Sequence, residues 1–493
     1  MMRRIGKTSS GRFKIPKRGR IRFVLIIALV AAGVRFGVPL FKNKSAVVEK
    51  NQAVESVQVV KQAPAKKETK APKEVKEKKV KEKKVRERKP RERKFRQPRK
   101  KEESRQPPTK SNQMSFEDVR QLVKQHGIDI NAPEQIIINN KDTLTLSLSI
   151  DTGLQRYANR LLRRYKPRYG AVAAIDPATG RVLALASYTG EGEIIQDTNL
   201  YLKSIFPAAS VFKTITAAAG VEKGGMTSKT QIPHFGGNHT LYRNQLVENL
   251  RVSRNISLEE AFAYSINPAF ARIALFKVDR NSLTDYGKRF GFNTPIPFEL
   301  DSDISMMLAP DSDFSIAEFA SGFNRETSIS PLFGALIASA VSEGGVIHRP
   351  TIIDNIHSAK KDTSVYSRTT EVWRRAVKES TAKELRWMMT KVSHYGTARN
   401  NFRQLRHSQR FNGYEFGGKT GNVNRQGLGR VDWFVGFGRH PHDKTQRIAV
   451  GVVTTHGAYW TVQSSYVASE LIRRYLVGAQ AEQARQAQIQ TAE

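Results

Sequence analysis

Most of the net positive charge of this chain lies in a first quarter that cannot build a hydrophobic core. About +26 of the formal net charge of +37 falls in residues 1–110. A five-residue repeat related to Val-Lys-Glu-Lys-Lys runs from Val75 to Lys94, and one apolar residue in five gives neither a helical stripe nor a strand alternation. We therefore predict a solvated basic linker at residues 42–112. It could also adhere to anionic envelope polymers, whereas its single aromatic residue argues against nucleic-acid binding.

An apolar segment at residues 23–41 follows a run of basic residues. It just reaches the roughly 20 residues that a membrane span requires, and Arg35 near one end can extend to the headgroups. Because basic flanks stay in the cytoplasm, we predict a cytoplasmic tail at residues 1–22, a single transmembrane helix at residues 23–41 and the rest of the chain outside the cell membrane. A cleaved signal peptide is the alternative, since the uncharged part of the segment is only about 12 residues long.

Strand and helix patterns follow the linker, with early and late strands around a mainly helical stretch at residues 210–405. This order predicts one α+β domain at residues 141–478, an antiparallel sheet flanked by helices with an inserted mainly helical subdomain. A short pre-domain segment (residues 113–140) precedes the domain. A closing helix ending at Val477 and a low-complexity Gln/Ala-rich tail (residues 479–493) complete the chain. The strands are predicted at residues 143–150, 170–176, 181–187, 416–421, 432–437 and 447–453.

A serine and a lysine three residues apart, Ser210 and Lys213, are the first candidates for chemistry. The helical pattern that follows places Ser210 at a helix N-terminus, where free N–H groups stabilise developing negative charge. Side chains at i and i+3 share a helix face, so the amine can reach the hydroxyl. A serine needs such a base, and a lysine serves only if burial or nearby cations lower its pKa. Taken alone, the pair is more often a helix-capping serine beside a solvent-exposed lysine.

A second serine is followed two residues later by an amide, in Ser265-Ile-Asn267. Apolar residues flank the motif on both sides, so its polar side chains are expected to face a common cleft. There the hydroxyl can relay a proton and the amide can bind a substrate amide. By itself the motif is more often a turn before Pro268.

The third motif, Lys419-Thr420-Gly421, follows two further glycines in a predicted strand. Glycines in a strand allow another backbone to approach closely, as when a peptide lies along a sheet edge. Strand alternation places Lys419 and Gly421 on one face, where the cation can hold a substrate carboxylate. Taken alone, this motif is more often a glycine-rich bend without a catalytic role.

Together and in this order, the three motifs closely resemble those of the transpeptidase domain of penicillin-binding proteins, a superfamily shared with serine β-lactamases. The resemblance covers residues 140–478, about two-thirds of the chain. It implies that Ser210 is acylated by the D-Ala-D-Ala end of a peptidoglycan stem peptide, with Lys213 as general base and Ser265 as proton relay. Further segments that resemble the family lie at residues 152–155, 170–180, 331–332, 396–398 and 433–437.

The resemblance also assigns substrate contacts and inhibitors. Asn267 would bind the substrate, Lys419 and Thr420 would engage its terminal carboxylate within the Lys-Thr-Gly strand, and β-lactams would inhibit the enzyme. The oxyanion hole of the family uses the N–H of the nucleophile and one just after the third motif, here at Asn422. Asn422 departs from the family pattern, because a hydroxyl residue is usual at that position.

Residues 42–140 leave no room for a glycosyltransferase domain, so the chain resembles a monofunctional transpeptidase. A separate polymerase of lipid-linked glycan is then an expected membrane partner. The large pedestal domain common in that subclass also has no counterpart, except for a remnant at residues 115–130. The chain has no cysteine, no phosphate-binding glycine loop and no metal-ligand spacing beyond His440-x-His442, so we expect no cofactor and no metal.

Two other functions remain open from the sequence. A D,D-carboxypeptidase or a β-lactamase would share the acylation step and then use water, with Glu299 as a candidate base for deacylation. A catalytically silent scaffold would use the same fold to hold other wall-building proteins. Intact motifs favour acyl transfer over both alternatives.

Overall fold

The computed structural model describes residues 113–139, 142–248, 253–309 and 311–492. The predicted cytoplasmic tail, transmembrane helix and basic linker lie outside the described residues and stay predictions. Within the described ranges, every helix is too short or too polar to cross a bilayer.

The described residues form fifteen strands and eleven α-helices, which are mixed along the sequence. The strands are β1 (Glu134–Asn139), β2 (Asp142–Leu148), β3 (Tyr169–Ile175), β4 (Val182–Thr189), β5 (Phe206–Pro207), β6 (Gln231–His234), β7 (Arg254–Ser257), β8 (Ser328–Ile329), β9 (Val346–His348), β10 (Ile353–Ser358), β11 (Thr363–Ser367), β12 (Val372–Arg375), β13 (Glu415–Arg425), β14 (Gly429–Arg439) and β15 (Arg447–His456). The α-helices are α1 (Phe116–His126), α2 (Thr152–Tyr165), α3 (Lys213–Glu222), α4 (Leu258–Ala263), α5 (Asn267–Phe276), α6 (Arg280–Phe290), α7 (Asp313–Ser321), α8 (Pro331–Ser342), α9 (Glu379–His394), α10 (Arg403–His407) and α11 (Ser464–Ala492).

The central sheet has the order β13-β14-β15-β3-β4, and every neighbouring pair is antiparallel. The predicted hairpin and the three late strands are confirmed, because β3 and β4 pair across a short turn and β13 to β15 follow one another. Alternate residues of a strand point to opposite faces, and β14 presents Val435 to α8 and Gly438 to α11. Helices therefore cover both faces of the sheet, and β13 is left at its edge.

The early strand predicted at residues 143–150 forms, but it lies outside the central sheet. As β2 it joins a separate sheet of order β1-β2-β10-β11, pairing with β10 about two hundred residues later in the chain. The pre-domain segment supplies α1 and β1 to this part of the molecule. The expectation of a mainly helical stretch at residues 210–405 is therefore only partly right, since β6 to β12 interrupt it. An α+β architecture is confirmed.

The closing helix is longer than predicted, because α11 runs without a break to Ala492 rather than ending at Val477. Alanine and glutamine are good helix formers, so nothing in residues 478–492 stops the helix. Two glutamines of this extension also bond to the domain: Gln480 Nε2 donates to the Tyr414 hydroxyl at 2.7 Å and Gln483 Nε2 donates to Asp443 Oδ2 at 2.6 Å. The Gln/Ala-rich tail thus packs against the sheet as helix.

Candidate active site

A cleft of about 370 Å³ lies between the edge strand β13 and the helices that carry the first two motifs. The structure brings all eight predicted site residues to this place. Ser210, Ser265, Asn267, Thr420, Gly421 and Asn422 line the cleft, and the buried amines of Lys213 and Lys419 bond to its two serines.

Ser210 lies in a single 3₁₀ turn, Ala209–Phe212, that leads directly into α3. The Lys213 amine is fully buried below it and lies 2.7 Å from Ser210 Oγ, 2.7 Å from Asn267 Oδ1 and 2.6 Å from the carbonyl oxygen of Ser321. As an ammonium, Lys213 donates to all three oxygens. As a neutral amine it can keep two of these bonds and accept the third from the Ser210 hydroxyl. Burial and the nearby charge of Lys419 lower the pKa of Lys213 well below its usual value. The amine is therefore built to take the Ser210 proton.

The carbonyl of Ser321 is a partner that the motifs did not predict. It ends α7, and the next residue, Gly322, has a left-handed φ of 67°. A Cβ on Gly322 would lie 1.9 Å from the carbonyl oxygen of Ala209, so only glycine lets α7 approach the Ser210 turn this closely. In the sequence, Gly322 follows a helical pattern, and such a glycine indicates the end of a helix. It gives no sign that the carbonyl group before it contacts a catalytic residue.

Ser265 occupies the turn between α4 and α5 with a φ of 58°, an unfavourable conformation for serine that aims its side chain at the cleft. Its hydroxyl accepts a hydrogen bond from Lys419 Nζ at 2.9 Å, and the same amine donates to the carbonyl oxygen of Thr420. Complete burial lowers the pKa of Lys419 to about 7. Asn267 opens α5, where its Nδ2 donates to the carbonyl oxygen of His239 at 3.0 Å. The second and third motifs thus form one hydrogen-bonded unit.

Strand β13 approaches the reactive serine at Gly421. A Cβ there would lie 3.3 Å from the backbone nitrogen of Ser210, so a larger residue would push the strand away from the turn. One residue earlier, the hydroxyl of Thr420 lies 2.5 Å from that of Thr397, which comes from the segment after α9. Both threonines also line the cleft.

Asn422 faces a carboxyl group that the sequence analysis missed. It pairs with Asp432 of β14 in the ladder, both residues line the cleft, and the Asn422 side chain bonds to the Asp432 carboxyl. Asp432 is buried and its Oδ2 accepts a hydrogen bond from the backbone N–H of Ser464 at 2.6 Å. Burial raises the pKa of Asp432 to about 7. The carboxyl group of Asp432 therefore contacts Asn422, the position where the family usually has a hydroxyl residue.

Glu299, the candidate base for hydrolysis, lies elsewhere. It is 2% exposed, and its carboxyl group accepts hydrogen bonds from Thr351 Oγ1 at 2.5 Å and from the N–H of Ile352 at 3.2 Å. It is not among the residues that line the cleft. In the structure Glu299 therefore joins two buried segments and does not face the cleft that holds Ser210.

The described residues contain no group of three or more His, Asp or Glu side chains placed to hold a metal ion. His440 is half-buried in a turn and its Nδ1 accepts a hydrogen bond from the N–H of Asp443. One histidine, His239, does line the cleft, and burial together with the charges of Lys213 and Lys419 lowers its pKa.

Comparison with known proteins assigns the domain that carries this cleft to a family. Residues 170–476 match the family described as penicillin binding protein transpeptidase domain. Stage V sporulation protein D of Bacillus subtilis (strain 168) is 25% identical over 317 residues, which is 60% of this chain and 48% of that protein. Peptidoglycan D,D-transpeptidase PbpA of Mycolicibacterium smegmatis is 28% identical over 251 residues, which is 45% of this chain and 50% of that protein. The chain spans about half the length of these relatives.

Solved structures share the fold. The D,D-transpeptidase domain of a peptidoglycan glycosyltransferase from Eggerthella lenta superposes with a TM-score of 0.55 at 22% identity, covering 67% of this chain and 82% of that one. PBPA from Mycobacterium tuberculosis superposes with a TM-score of 0.53 at 20% identity, covering 68% and 81%. The domain architecture described above is therefore one already observed in crystals.

Proposed function

This chain belongs to the penicillin-binding protein transpeptidase family, and from that premise we propose that it is a peptidoglycan D,D-transpeptidase. Its substrates are stem peptides ending in D-Ala-D-Ala, which it cross-links through an acyl-enzyme, and β-lactams inhibit it as substrate mimics. One observation carries the proposal: the buried Lys213 amine meets the Ser210 hydroxyl and two acceptors, the pattern that a neutral general base requires. The name of the relative PbpA, peptidoglycan D,D-transpeptidase, supports the same reading.

In the acylation step, Lys213 takes the proton of Ser210 while the serine oxygen attacks the carbonyl carbon of the penultimate D-Ala. The N–H groups of Ser210 and Asn422 stabilise the oxyanion. The proton that Lys213 has taken then passes through Ser265, which is hydrogen-bonded to Lys419, to the departing amine, and the C–N bond breaks. Lys419 and Thr420 hold the terminal carboxylate during this step. The acyl group remains as an ester on Ser210.

The transfer step runs through the same groups in reverse. An amine of a second stem peptide attacks the ester carbon, the new C–N bond forms, and the C–O bond to Ser210 breaks. The proton of the amine returns to Ser210 through Ser265 and Lys213. We further propose that residues 23–41 anchor the enzyme in the cell membrane with its catalytic domain outside, and that a polymerase of lipid-linked glycan supplies its substrate.

Mass analysis of products tests this proposal against its alternatives. We expect the full-length chain, given uncross-linked peptidoglycan strands, to release D-Ala and to form cross-linked dimers. Trimmed monomers alone would instead identify a D,D-carboxypeptidase, and an unchanged substrate would favour a silent scaffold. The variant Glu299→Gln should keep the product ratio of the wild type, because its side chain lies outside the cleft. Rapid penicillin hydrolysis that Glu299→Gln abolishes would restore the hydrolytic alternative.

The rate of acylation should depend on pH as a bell-shaped curve. Its acid limb rises as Lys213 loses its proton, at a pH well below the usual lysine value. Its basic limb begins near pH 7, where Lys419 loses positive charge and Asp432 gains negative charge, since both groups have a pKa of about 7. Both changes oppose a substrate that carries a carboxylate. The second-order rate constant for a labelled penicillin, measured from about pH 5 to about pH 9, checks this.

The variant Asp432→Asn distinguishes the contribution of Asp432 to the basic limb from that of Lys419. An amide still accepts from the Ser464 N–H but cannot ionise, so we expect a shallower fall above about pH 7 than in the wild type. Wild-type and Asp432→Asn profiles that coincide would remove Asp432 from the explanation. A wild-type rate that keeps rising to about pH 9 would exclude both groups.

A further inference from the structure

The segment at residues 394–410, which we call the basic loop, carries a concentrated positive charge that the catalytic steps do not use. The sequence has no acidic residue from Leu385 to Tyr414. The basic loop contains four arginines and two histidines. Within the ranges that the structure describes, none of these six side chains forms an ion pair. The charge is therefore left without a counter-charge.

The basic loop lines two adjoining cavities, which we call the basic groove. One cavity of about 780 Å³ has Arg406, His394 and His407 among its lining residues, and the other of about 660 Å³ has Arg403. His407 and Ser408 line both, so the two cavities are neighbours on the surface of the basic loop. No acidic side chain lines either cavity.

The cationic side chains of the groove have donors to spare. Among the described residues, Arg403, Arg406, His394 and His407 make one side-chain hydrogen bond between them, from Arg406 Nη2 to the carbonyl oxygen of Arg399 at 3.1 Å. The Nε of Arg406 is buried without a partner. Guanidinium groups bind carboxylate or phosphate oxygens through paired N–H donors, and two of them lie one helical turn apart on α10. The groove is therefore suited to an oxyanion.

The groove borders the catalytic cleft on the side of the substrate carboxylate. Thr397, in the basic loop, contacts Thr420, and Asn401 Nδ2 donates to Gln463 Oε1 and to Ser465 Oγ, two residues that line the cleft. Phe416 of β13 lines the larger cavity, four residues before Thr420. At about 3.3 Å per strand residue this separation is roughly 13 Å, which a peptide of about four residues spans.

That side of the cleft is where the leaving group departs. In the proposed reaction the terminal D-Ala, held by Lys419 and Thr420, leaves toward the basic loop, and the incoming amine must occupy the position that the leaving amine vacates. Stem peptides carry free carboxylates in addition to the reacting amine. When the amine of an acceptor approaches Ser210 from the side of the basic loop, the carboxylates of that acceptor lie near the basic groove.

We propose that the basic groove is the subsite of the acceptor strand, where Arg403 and Arg406 bind free carboxylates of the second stem peptide. This inference rests on the proposed transpeptidase function and specifies its second substrate. The acceptor nitrogen bonds to the acyl carbon, the ester bond to Ser210 breaks, and the nitrogen's proton passes to the serine oxygen. The arginines touch neither reacting atom; they position the acceptor.

The test compares two acceptors and two double variants in the full-length enzyme. One acceptor is a synthetic stem-peptide amine with free carboxylates, and the other is the same peptide with its carboxylates amidated. In Arg403→Gln/Arg406→Gln we expect the apparent KM for the free acceptor to rise about tenfold, as for the loss of one or two partly exposed charge-assisted contacts. We expect kcat and the acylation rate by labelled penicillin to change by less than about twofold, since neither depends on acceptor affinity.

The amidated acceptor supplies the internal control. The KM of the wild type for the amidated acceptor should equal the KM of the double variant for the free acceptor. The double variant should have the same KM for both acceptors. The matched charge change Arg160→Gln/Arg163→Gln, on exposed positions of α2, should leave every constant unchanged. Arg403→Gln alone, at an exposed side chain, serves if the double variant is unstable.

Two outcomes contradict the inference in different ways. If wild type and double variant cross-link with the same acceptor KM, the groove is not the acceptor subsite, and the transpeptidase function stands. If the wild type is acylated by penicillin but transfers to neither acceptor, the proposed function fails and this inference fails with it.

Discussion

Replacing Ser210 by alanine should abolish covalent labelling by a fluorescent penicillin, to below about one thousandth of the wild-type rate. The labelled product is an ester on the serine oxygen, and Ser210 is the hydroxyl that contacts Lys213, the amine with the strongly lowered pKa. Ser265 is the nearest alternative, but its partner Lys419 donates to it and to a carbonyl oxygen. Gel fluorescence after denaturation measures this directly, since only covalent label survives.

The matched control is Ser204→Ala. Ser204 is half-buried like Ser210 and lies outside the cleft. Its hydroxyl shares a hydrogen bond with Ser328 Oγ and its backbone N–H donates to Asp303 Oδ2, so labelling should be retained. Equal labelling of wild type and Ser210→Ala would show that Ser210 is not the nucleophile. Unchanged thermal midpoints in both variants would show that the fold is intact, because the alanine removes a single hydroxyl.

Replacing Lys213 by methionine should slow acylation by about 10³-fold, within the range that a positioned general base contributes. Methionine has a similar length and fills the buried space, but it cannot take the serine proton. It also leaves Asn267 Oδ1 and the Ser321 carbonyl oxygen without their donor. Stopped-flow or slow-labelling kinetics over a range of pH checks both parts of the expectation: the rate falls, and the acid limb of the profile disappears.

Lys229→Met is the control for the loss of a lysine. Lys229 is exposed and pairs with Glu259, a contact whose removal costs about 1 kcal/mol or less. Its acylation rate should equal that of the wild type. If Lys213→Met keeps an acid limb at the same pH, another group is the base, and the close contact between Lys213 and Ser210 has a structural role only.

The candidate site could be predicted well from the sequence because each motif is local. The i,i+3 spacing of Ser210 and Lys213 and the strand alternation of Lys419 and Gly421 follow from backbone geometry within one element. The contact between Lys213 and Ser210 agrees with that reasoning, whereas the contact between Lys419 and Ser265 joins distant segments and depends on how they pack. The departure at Asn422 was also visible in the sequence.

Asp432 and the Ser321 carbonyl could not be found in the same way. Asp432 precedes a run of apolar strand residues, and only the register of β14 against β13 places it opposite Asn422. Ser321 acts through its backbone, which leaves no side-chain signature, and its distance to Lys213 depends on how α7 packs against the Ser210 turn. The contact between Lys213 and Ser321 joins segments about a hundred residues apart. The pairing of Asn422 with Asp432 depends on a strand register that the sequence does not specify.

The same distinction holds for the fold. Period and turn chemistry within a few residues were sufficient for the β3–β4 hairpin, the run β13 to β15 and the early strand β2, since each is specified by neighbours in the chain. Which sheet β2 enters was not specified, because its apolar alternation fits either sheet and its partner β10 lies far along the chain. Local periodicity thus predicted the strands of the central sheet and the candidate motif residues, but it missed strands β6 to β12 and Asp432. The assignment of strands to sheets, the burial that lowers the pKa of Lys213, and the meeting of basic loop and cleft arose from long-range packing, whose free energy no short stretch of sequence encodes.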